Sequence, residues 1–196
     1  MYQASEVQIR DGVAGNARLT GAVAAALLVL LAAEGATIPF IGSLLGPHIF
    51  IGMLLIPPVL LKLASTGYRF ARYYARSRPY RAKGPPLLPL RLLGPVLVVT
   101  TVLVFGSGVW LMVLGHRSDA VLELHKLSFI VWGVIFGVHF LAHLPAMLHA
   151  LRPSGVPGAS VRALLVAASL GAGVALALSV LSLIAGFERE IGRAHV

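Results

Sequence analysis

The feature that most constrains this chain is a series of five long apolar stretches separated by short polar segments. Each stretch has about 20 residues or more, which is the length that a helix needs to cross a hydrocarbon core about 30 Å thick. The sequence therefore predicts an all-α integral membrane bundle with five transmembrane helices. The predicted spans cover residues 19–40, 48–68, 92–114, 124–148 and 163–187.

These spans divide the chain into four parts. We expect a polar N-terminal tail, a four-helix core, a loop with the fifth helix, and a C-terminal tail, over residues 1–17, 18–149, 150–187 and 188–196. The tail lacks the basic start and short apolar core of a signal peptide. Pro57 and Pro58 are expected to kink the second span. The prolines within residues 78–89 predict an extended loop without helix.

The distribution of basic residues predicts the orientation of the spans. The net charge is +9, yet charged residues make up only 12% of the chain, against about 25% in soluble domains. Eleven of the 16 Lys and Arg residues fall on one side of the predicted bundle. We therefore expect this multi-pass protein in the cell's cytoplasmic (inner) membrane, with the N-terminus cytoplasmic and the C-terminus outside. The basic excess then contacts membrane lipid, and no nucleic acid is expected as a partner.

Ionisable residues within the spans are costly and therefore indicate function. His48 and His125 begin the second and fourth spans at similar depth, and two opposed imidazoles in an apolar slot suit axial ligation of a haem iron. His139 lies 14 residues after His125 on the same helical face, and His143 lies one turn further. His139 and His143 are candidates for a second haem or for a quinone or proton site. Interhelical hydrogen bonds are the structural alternative for both residues.

Glycines recur at the same interval of 14 residues on the other two helices. Gly21 and Gly35 lie on the first span, and Gly94 and Gly108 lie on the third. These four glycines are candidates for packing against the edge of a haem ring. Membrane helices also use glycine simply to pack closely, so the glycine spacing gains weight only together with the histidines.

The combined order of glycine and histidine pairs resembles the N-terminal four-helix domain of the cytochrome b family. The resemblance extends over residues 18–149 and does not include the fifth span. It implies haem b between the second and fourth helices, with one histidine ligand from each helix and glycines on the first and third helices. The outer haem would then be ligated by His48 and His125, and these two residues are the predicted metal ligands.

Lys62 departs from this pattern because it stands where the family has its second histidine on the second helix. The inner haem is then absent, or Lys62 is an unusual amine ligand, or His139 and His143 serve another purpose. Lys62 can also extend its ammonium group to the interface or contact a haem propionate or a quinone. Glu34 is a candidate proton acceptor or quinol contact. Its structural alternative is a hydrogen bond to a neighbouring helix.

The predicted function is that of a membrane b-type cytochrome subunit, which passes electrons through haem b between quinone and a partner redox subunit on the outer side. No catalytic residue and no flavin or nicotinamide motif is visible, so the chain is expected to be an electron-transfer subunit of an oxidoreductase complex. Two alternatives remain. The first is a haem-free scaffold subunit of a larger complex, and the second is a small proton or metal transporter.

Overall fold

The computed structural model describes residues 2–82, 88–153 and 155–193, and it confirms the all-α class over these residues. A 3-10 turn over Ile38–Phe40 connects the first two helices. The α-helices in the described part of the chain are α1 (Tyr2–Thr37), α2 (Ile41–Tyr74), α3 (Arg78–Ala82), α4 (Leu88–Leu114), α5 (Asp119–Leu151), α6 (Ala159–Ser179) and α7 (Leu181–Arg193).

Among the residues that the structure describes, four helical stretches are long and apolar enough to cross a membrane. Their outward surfaces are apolar, because Val134, Leu141 and Leu164 are each 67% exposed. Exposed apolar side chains of this kind favour a lipid environment, because their contact with water would cost free energy. The four stretches are Gly12–Tyr74, Leu90–Leu114, Asp119–Leu151 and Ala159–Ser179.

The first of these stretches folds back on itself at the 3-10 turn. Near one end of the hairpin, the amide of Asn16 donates a hydrogen bond to the carbonyl oxygen of Ser65 at 3.0 Å. Near the other end, Thr37 Oγ1 lies 2.8 Å from His48 Nδ1. The paired positions approach each other in opposite sequence order, so α1 and α2 are antiparallel.

The remaining helices assemble around this hairpin. α4 packs along α5, α5 also packs against α1, and α6 packs against α2. Within the described residues, no Cα atom of α2 lies within 8 Å of a Cα atom of α5. α2 and α5 therefore lie on opposite sides of the bundle, and only their side chains meet.

The predicted fifth span, residues 163–187, is not one continuous helix. The helix is interrupted at Val180, where φ is −107° and ψ is 9°, and α7 starts at Leu181. α7 is amphipathic, since Ile184 and Phe187 are buried while Glu188 and Arg189 are exposed. The sequence predicted one span here because the apolar residues of α7 follow directly on those of α6.

The irregularity in α2 lies before Pro47 and not at Pro57 and Pro58, where the sequence predicted a kink. Pro57 and Pro58 are accommodated within α2, whereas the dihedral angles leave the helical region at Leu44, with φ −115° and ψ 22°. Leu44 lies three residues before Pro47, which cannot donate the backbone hydrogen bond that would continue this turn. The irregular turn therefore immediately precedes His48.

Two of the predicted polar segments contain helix. α1 extends back to Tyr2, through the predicted N-terminal tail. The predicted extended loop begins instead with α3, whose Tyr80 is buried against Tyr68 with ring centroids 6.0 Å apart. Residues 83–87 of that loop, and residues 194–196 of the predicted C-terminal tail, lie outside the described residues.

Close contact between α2 and α6 depends on a glycine. A Cβ atom built on Gly173 would clash with the backbone carbonyl oxygen of Leu54. Small residues at such crossings let membrane helices approach backbone to backbone. Gly173 is therefore a packing position that fixes α6 against the bundle.

We expect Gly173→Ala to lower the melting temperature of the purified protein in detergent, because the added methyl group forces the two backbones apart. Overpacking of this kind costs about 1–3 kcal/mol. Gly171→Ala is the matched control, since a Cβ atom there meets nothing within 4 Å and the helix-propensity gain is the same. Equal melting temperatures for the two variants would contradict the contact.

Candidate functional site

Two histidines from opposite helices meet inside the bundle, as their sequence positions predicted. His48 lies about two turns into α2, and His125 lies about two turns into α5. Their ring centroids are 6.4 Å apart and their ring planes form an angle of 85°. We call these two residues the histidine pair. The two rings approach each other between α2 and α5, although the backbones of these helices are not in contact.

Hydrogen bonds to α4 orient the ring of His125. Its Nδ1 lies 3.0 Å from the carbonyl oxygen of Val104 and 3.1 Å from Oγ of Ser107. The hydroxyl of Ser107 itself donates to the carbonyl oxygen of Leu103, so its oxygen is available as an acceptor. A carbonyl can only accept, and therefore Nδ1 of His125 carries the proton.

Groups at the end of α1 orient the ring of His48 in the same way. Its Nδ1 lies 2.8 Å from Oγ1 of Thr37 and 3.1 Å from Oε1 of Glu34. The hydroxyl of Thr37 donates to the carbonyl oxygen of Glu34 at 2.6 Å, so it accepts from the histidine. Nδ1 of His48 thus carries a proton too, and the lone pair of the ring is on Nε2.

The donor chemistry of the histidine pair would suit a haem iron held by one nitrogen of each ring. A metal-bound histidine typically donates its other ring N–H to a carboxylate or a backbone carbonyl, and both arrangements occur here. No hydrogen bond engages Nε2 of His48 or of His125 within the described part of the chain. His48 and His125 would hold the iron of a haem through these two nitrogens, and the haem would supply the redox-active metal.

The pair does not resemble a site for a free metal ion. Among the residues that the structure describes, no group of three or more His, Cys, Asp or Glu side chains converges. Structural and catalytic zinc sites need at least three protein ligands. A haem iron would need only two protein ligands, because the porphyrin supplies the remaining nitrogens.

Two of the four predicted glycines lie beside this site. A Cβ atom on Gly108 would lie 3.1 Å from Cε1 of His125, so the ring packs directly on the backbone of α4. Gly35 has open space around its Cβ position and lines a cavity next to Glu34. Gly108 therefore contacts the candidate ligand His125, and Gly35 leaves open space beside Glu34.

The other two predicted glycines have different surroundings. A Cβ atom on Gly21 would lie 2.5 Å from Cβ of Ala150, so Gly21 serves the packing of α1 against α5. Gly94 has nothing within 4 Å of its Cβ position among the described residues. Direct helix contact at Gly21 leaves no room for a ring edge at that point.

At the level of Lys62, His139 and His143, which we call the inner level, the described residues include polar side chains but no second pair of histidines from α2 and α5. The ammonium group of Lys62 donates to the carbonyl oxygen of Thr20 at 2.9 Å and lies within electrostatic reach of His139. His139 and His143 stack with ring centroids 4.3 Å apart, and Nδ1 of His143 donates to the carbonyl oxygen of His139. Nδ1 of His139 is buried and has no hydrogen-bond partner within the part of the chain that the structure describes.

Glu34 borders a cavity of about 250 Å³ between α1 and α5. One carboxylate oxygen, Oε1, contacts His48, while Oε2 is buried and has no hydrogen-bond partner among the described residues. Aromatic rings of α5 form the opposite wall, where Trp132 and Phe136 stack at 4.8 Å. The cavity is lined by Leu28, Leu31, Ala32, Glu34, Gly35, Phe129, Trp132 and Phe136.

Sequence reasoning missed the residues that orient the histidine pair. Thr37 and Ser107 are both buried and hold Nδ1 of the two rings. Their signal in the sequence is a hydroxyl residue close to a predicted glycine, two positions after Gly35 and one position before Gly108. The carbonyl oxygen of Val104 has no signal in the sequence, because any residue supplies it.

Comparisons with protein-family models, with curated proteins and with solved structures found no match for this chain.

Proposed function

We propose that this protein is a membrane b-type cytochrome subunit that binds one haem b between His48 and His125. It would pass electrons between the quinone pool and a redox protein at the His48 end of the bundle. The observation that carries the proposal is the histidine pair, in which both Nδ1 atoms donate to groups on α1 or α4 and not to the partner ring. The two Nε2 lone pairs remain for a metal.

The chain's own residues would hold and tune the cofactor. Haem b would supply the one-electron couple between ferrous and ferric iron. Glu34 and the carbonyl of Val104 fix the ring tautomers and raise the basicity of the ligand nitrogens. The histidine pair lies about 10 Å from the starts of α2 and α5, which is a short distance to a partner at that end.

The proposal includes five membrane passes with a cytoplasmic N-terminus. The antiparallel α1–α2 hairpin supports two passes within the stretch Gly12–Tyr74. Basic residues gather at the opposite end of the bundle from the histidine pair, because Arg18 donates to the carbonyl of Arg152 and α2 ends in an arginine-rich segment. This distribution supports the cytoplasmic side at that end.

A haem-free scaffold subunit is the second candidate, and the inner level favours it. Lys62 is bound to α1, and Gly21 contacts Ala150 directly. These contacts are typical of a closed helix interface without a cofactor. The same contacts support a single haem in the cytochrome proposal, since they leave the inner level without a second ligand pair.

The test is a reduced-minus-oxidised visible spectrum of the purified protein, together with a pyridine haemochrome assay. We expect a b-type difference spectrum and one haem per chain. A protein that is folded but lacks haem after expression with ample haem precursor would refute the cytochrome and leave the scaffold. Two haems per chain would refute the closed inner level.

We expect His139→Ala to leave the haem content of the protein unchanged, because the residue 14 positions after His48 on α2 is Lys62 and not a second histidine. The haemochrome assay and the shape of the ferrous spectrum provide the measurement. His143→Ala, one turn away in the same ring stack, should behave in the same way. Loss of half or more of the haem from either variant would mean that the inner level binds haem.

A further inference from the structure

A groove between α2 and α7 combines apolar walls with a single carboxylate. Its volume is about 530 Å³, which lies within the range of about 300–1,000 Å³ that is typical of small-molecule sites. Phe50 and Ile51 of α2 form one wall, and Leu181 and Ala185 of α7 form the other. Glu188 is the only charged side chain among the described residues that line the groove. A ligand there would contact an apolar surface and one negative charge.

Gly46 determines where the carboxylate of Glu188 lies. A Cβ atom built on Gly46 would lie 2.5 Å from Oε1 and 3.1 Å from Oε2 of Glu188, so the carboxylate rests directly against the backbone of α2. The three ion pairs among the described residues do not include Glu188, and its side chain is exposed. Both carboxylate oxygens can therefore accept hydrogen bonds from a ligand.

The groove lies at the edge of the membrane-spanning part of the bundle. The 21 residues of α6 extend over about 31 Å, and a hydrocarbon core is about 30 Å thick, so α6 alone crosses it. α7 begins at Leu181, just beyond the end of α6. Amphipathic helices such as α7 commonly lie in the membrane interface. The groove is therefore placed where the acyl chains of a phospholipid meet its headgroup.

The carboxylate at this position restricts the headgroup. A headgroup with only negative charge would be repelled by Glu188, whereas an ammonium group would be attracted to it. A primary ammonium also donates up to three hydrogen bonds, and such bonds to a carboxylate are roughly twice as strong as neutral ones. The quaternary ammonium of choline has no N–H to donate. The site therefore favours a primary ammonium over a choline headgroup.

We propose that this groove binds one phospholipid with a primary ammonium headgroup, of the phosphatidylethanolamine type. An acyl chain would pack between Phe50 and Leu181, and the ammonium group would donate to the carboxylate of Glu188. The lipid would thus connect α7 to α2. The inference goes beyond the proposed function and does not depend on haem, because neither member of the histidine pair lines the groove.

The test is native mass spectrometry of the delipidated full chain in detergent. Phosphatidylethanolamine and phosphatidylcholine with identical acyl chains are added in equal amounts. We expect one tightly bound lipid, with the ethanolamine form retained about tenfold over the choline form, as one charge-assisted hydrogen bond would give. Glu188→Gln should remove this preference. Glu190→Gln is the matched control, because it removes an exposed carboxylate of the same helix that does not line the groove.

Gly46→Ala tests the position of the carboxylate without changing its charge. The added methyl group would occupy the space of the Glu188 carboxylate, which is the end of a flexible side chain and must move out of the groove. We expect the preference for the ethanolamine lipid to fall to the level of Glu188→Gln. Gly42→Ala, on the same helix with nothing within 4 Å of its Cβ position, should retain the preference.

Several outcomes overturn the inference. Equal retention of the two lipids by the unmodified protein would exclude a headgroup site, and retention of neither lipid would leave the groove for a protein partner. A preference that survives Glu188→Gln, or that Glu190→Gln removes to the same extent, would exclude Glu188 as the ammonium acceptor. Haem content is measured on the same preparations. Protein without haem that prefers the ethanolamine lipid refutes only the cytochrome, and haem protein without this preference refutes only the lipid site.

Discussion

His125→Ala is expected to remove the haem absorption of the purified protein almost completely. Loss of a residue that only supports a metal ligand lowers metal affinity about 10- to 100-fold, and loss of an axial ligand itself should exceed that range. His48→Ala should have an effect of the same size, because the two rings occupy equivalent positions across the gap between α2 and α5. The measurement is haem per chain after purification, by the pyridine haemochrome assay.

His116→Ala is the matched control, since His116 is an exposed histidine in the turn before α5. It should retain the full haem content. Imidazole added during purification should restore part of the haem to His125→Ala, because the deleted ring leaves a space of its own shape. Retention of the wild-type spectrum by either ligand variant would refute the assignment. Haem loss from His116→Ala as well would mean that the haem content does not depend specifically on His48 and His125.

The meeting of His48 with His125 could be predicted because depth along a span is a simple count. Two helices that run in the same direction through a bundle bring residues at equal distance from their starts to the same level. The 14-residue spacing likewise brought Lys62 within reach of His139. These relations require only helix geometry and span direction, and the sequence contains both.

The local contacts of the site could not be predicted because they depend on how neighbouring helices are rotated. The sequence marks Gly21 and Gly108 as equivalent, yet Gly21 contacts Ala150 while Gly108 contacts His125. No proline or glycine at Val180 indicates the break between α6 and α7 in the sequence. It follows from the packing of Ile184 and Phe187 against the bundle, which is a tertiary effect.

Gly108→Val is expected to reduce the haem content about tenfold or more while the helices remain folded. A Cβ atom at this position lies 3.1 Å from Cε1 and 3.5 Å from Nδ1 of His125, and valine adds two further methyl groups. The ring must therefore move away from α4, which breaks its hydrogen bond to the carbonyl of Val104 and misdirects Nε2. Loss of such a supporting contact lowers metal affinity about 10- to 100-fold.

Gly106→Val is the control for this experiment, because Gly106 lies on the same helix with nothing within 4 Å of its Cβ position. The two substitutions carry the same cost in helix propensity, so only the contact with His125 separates them. Haem per chain and the circular dichroism signal of the helices are measured for both variants. If Gly108→Val kept its haem, the observed packing of His125 on α4 would not be what orients this ring toward His48.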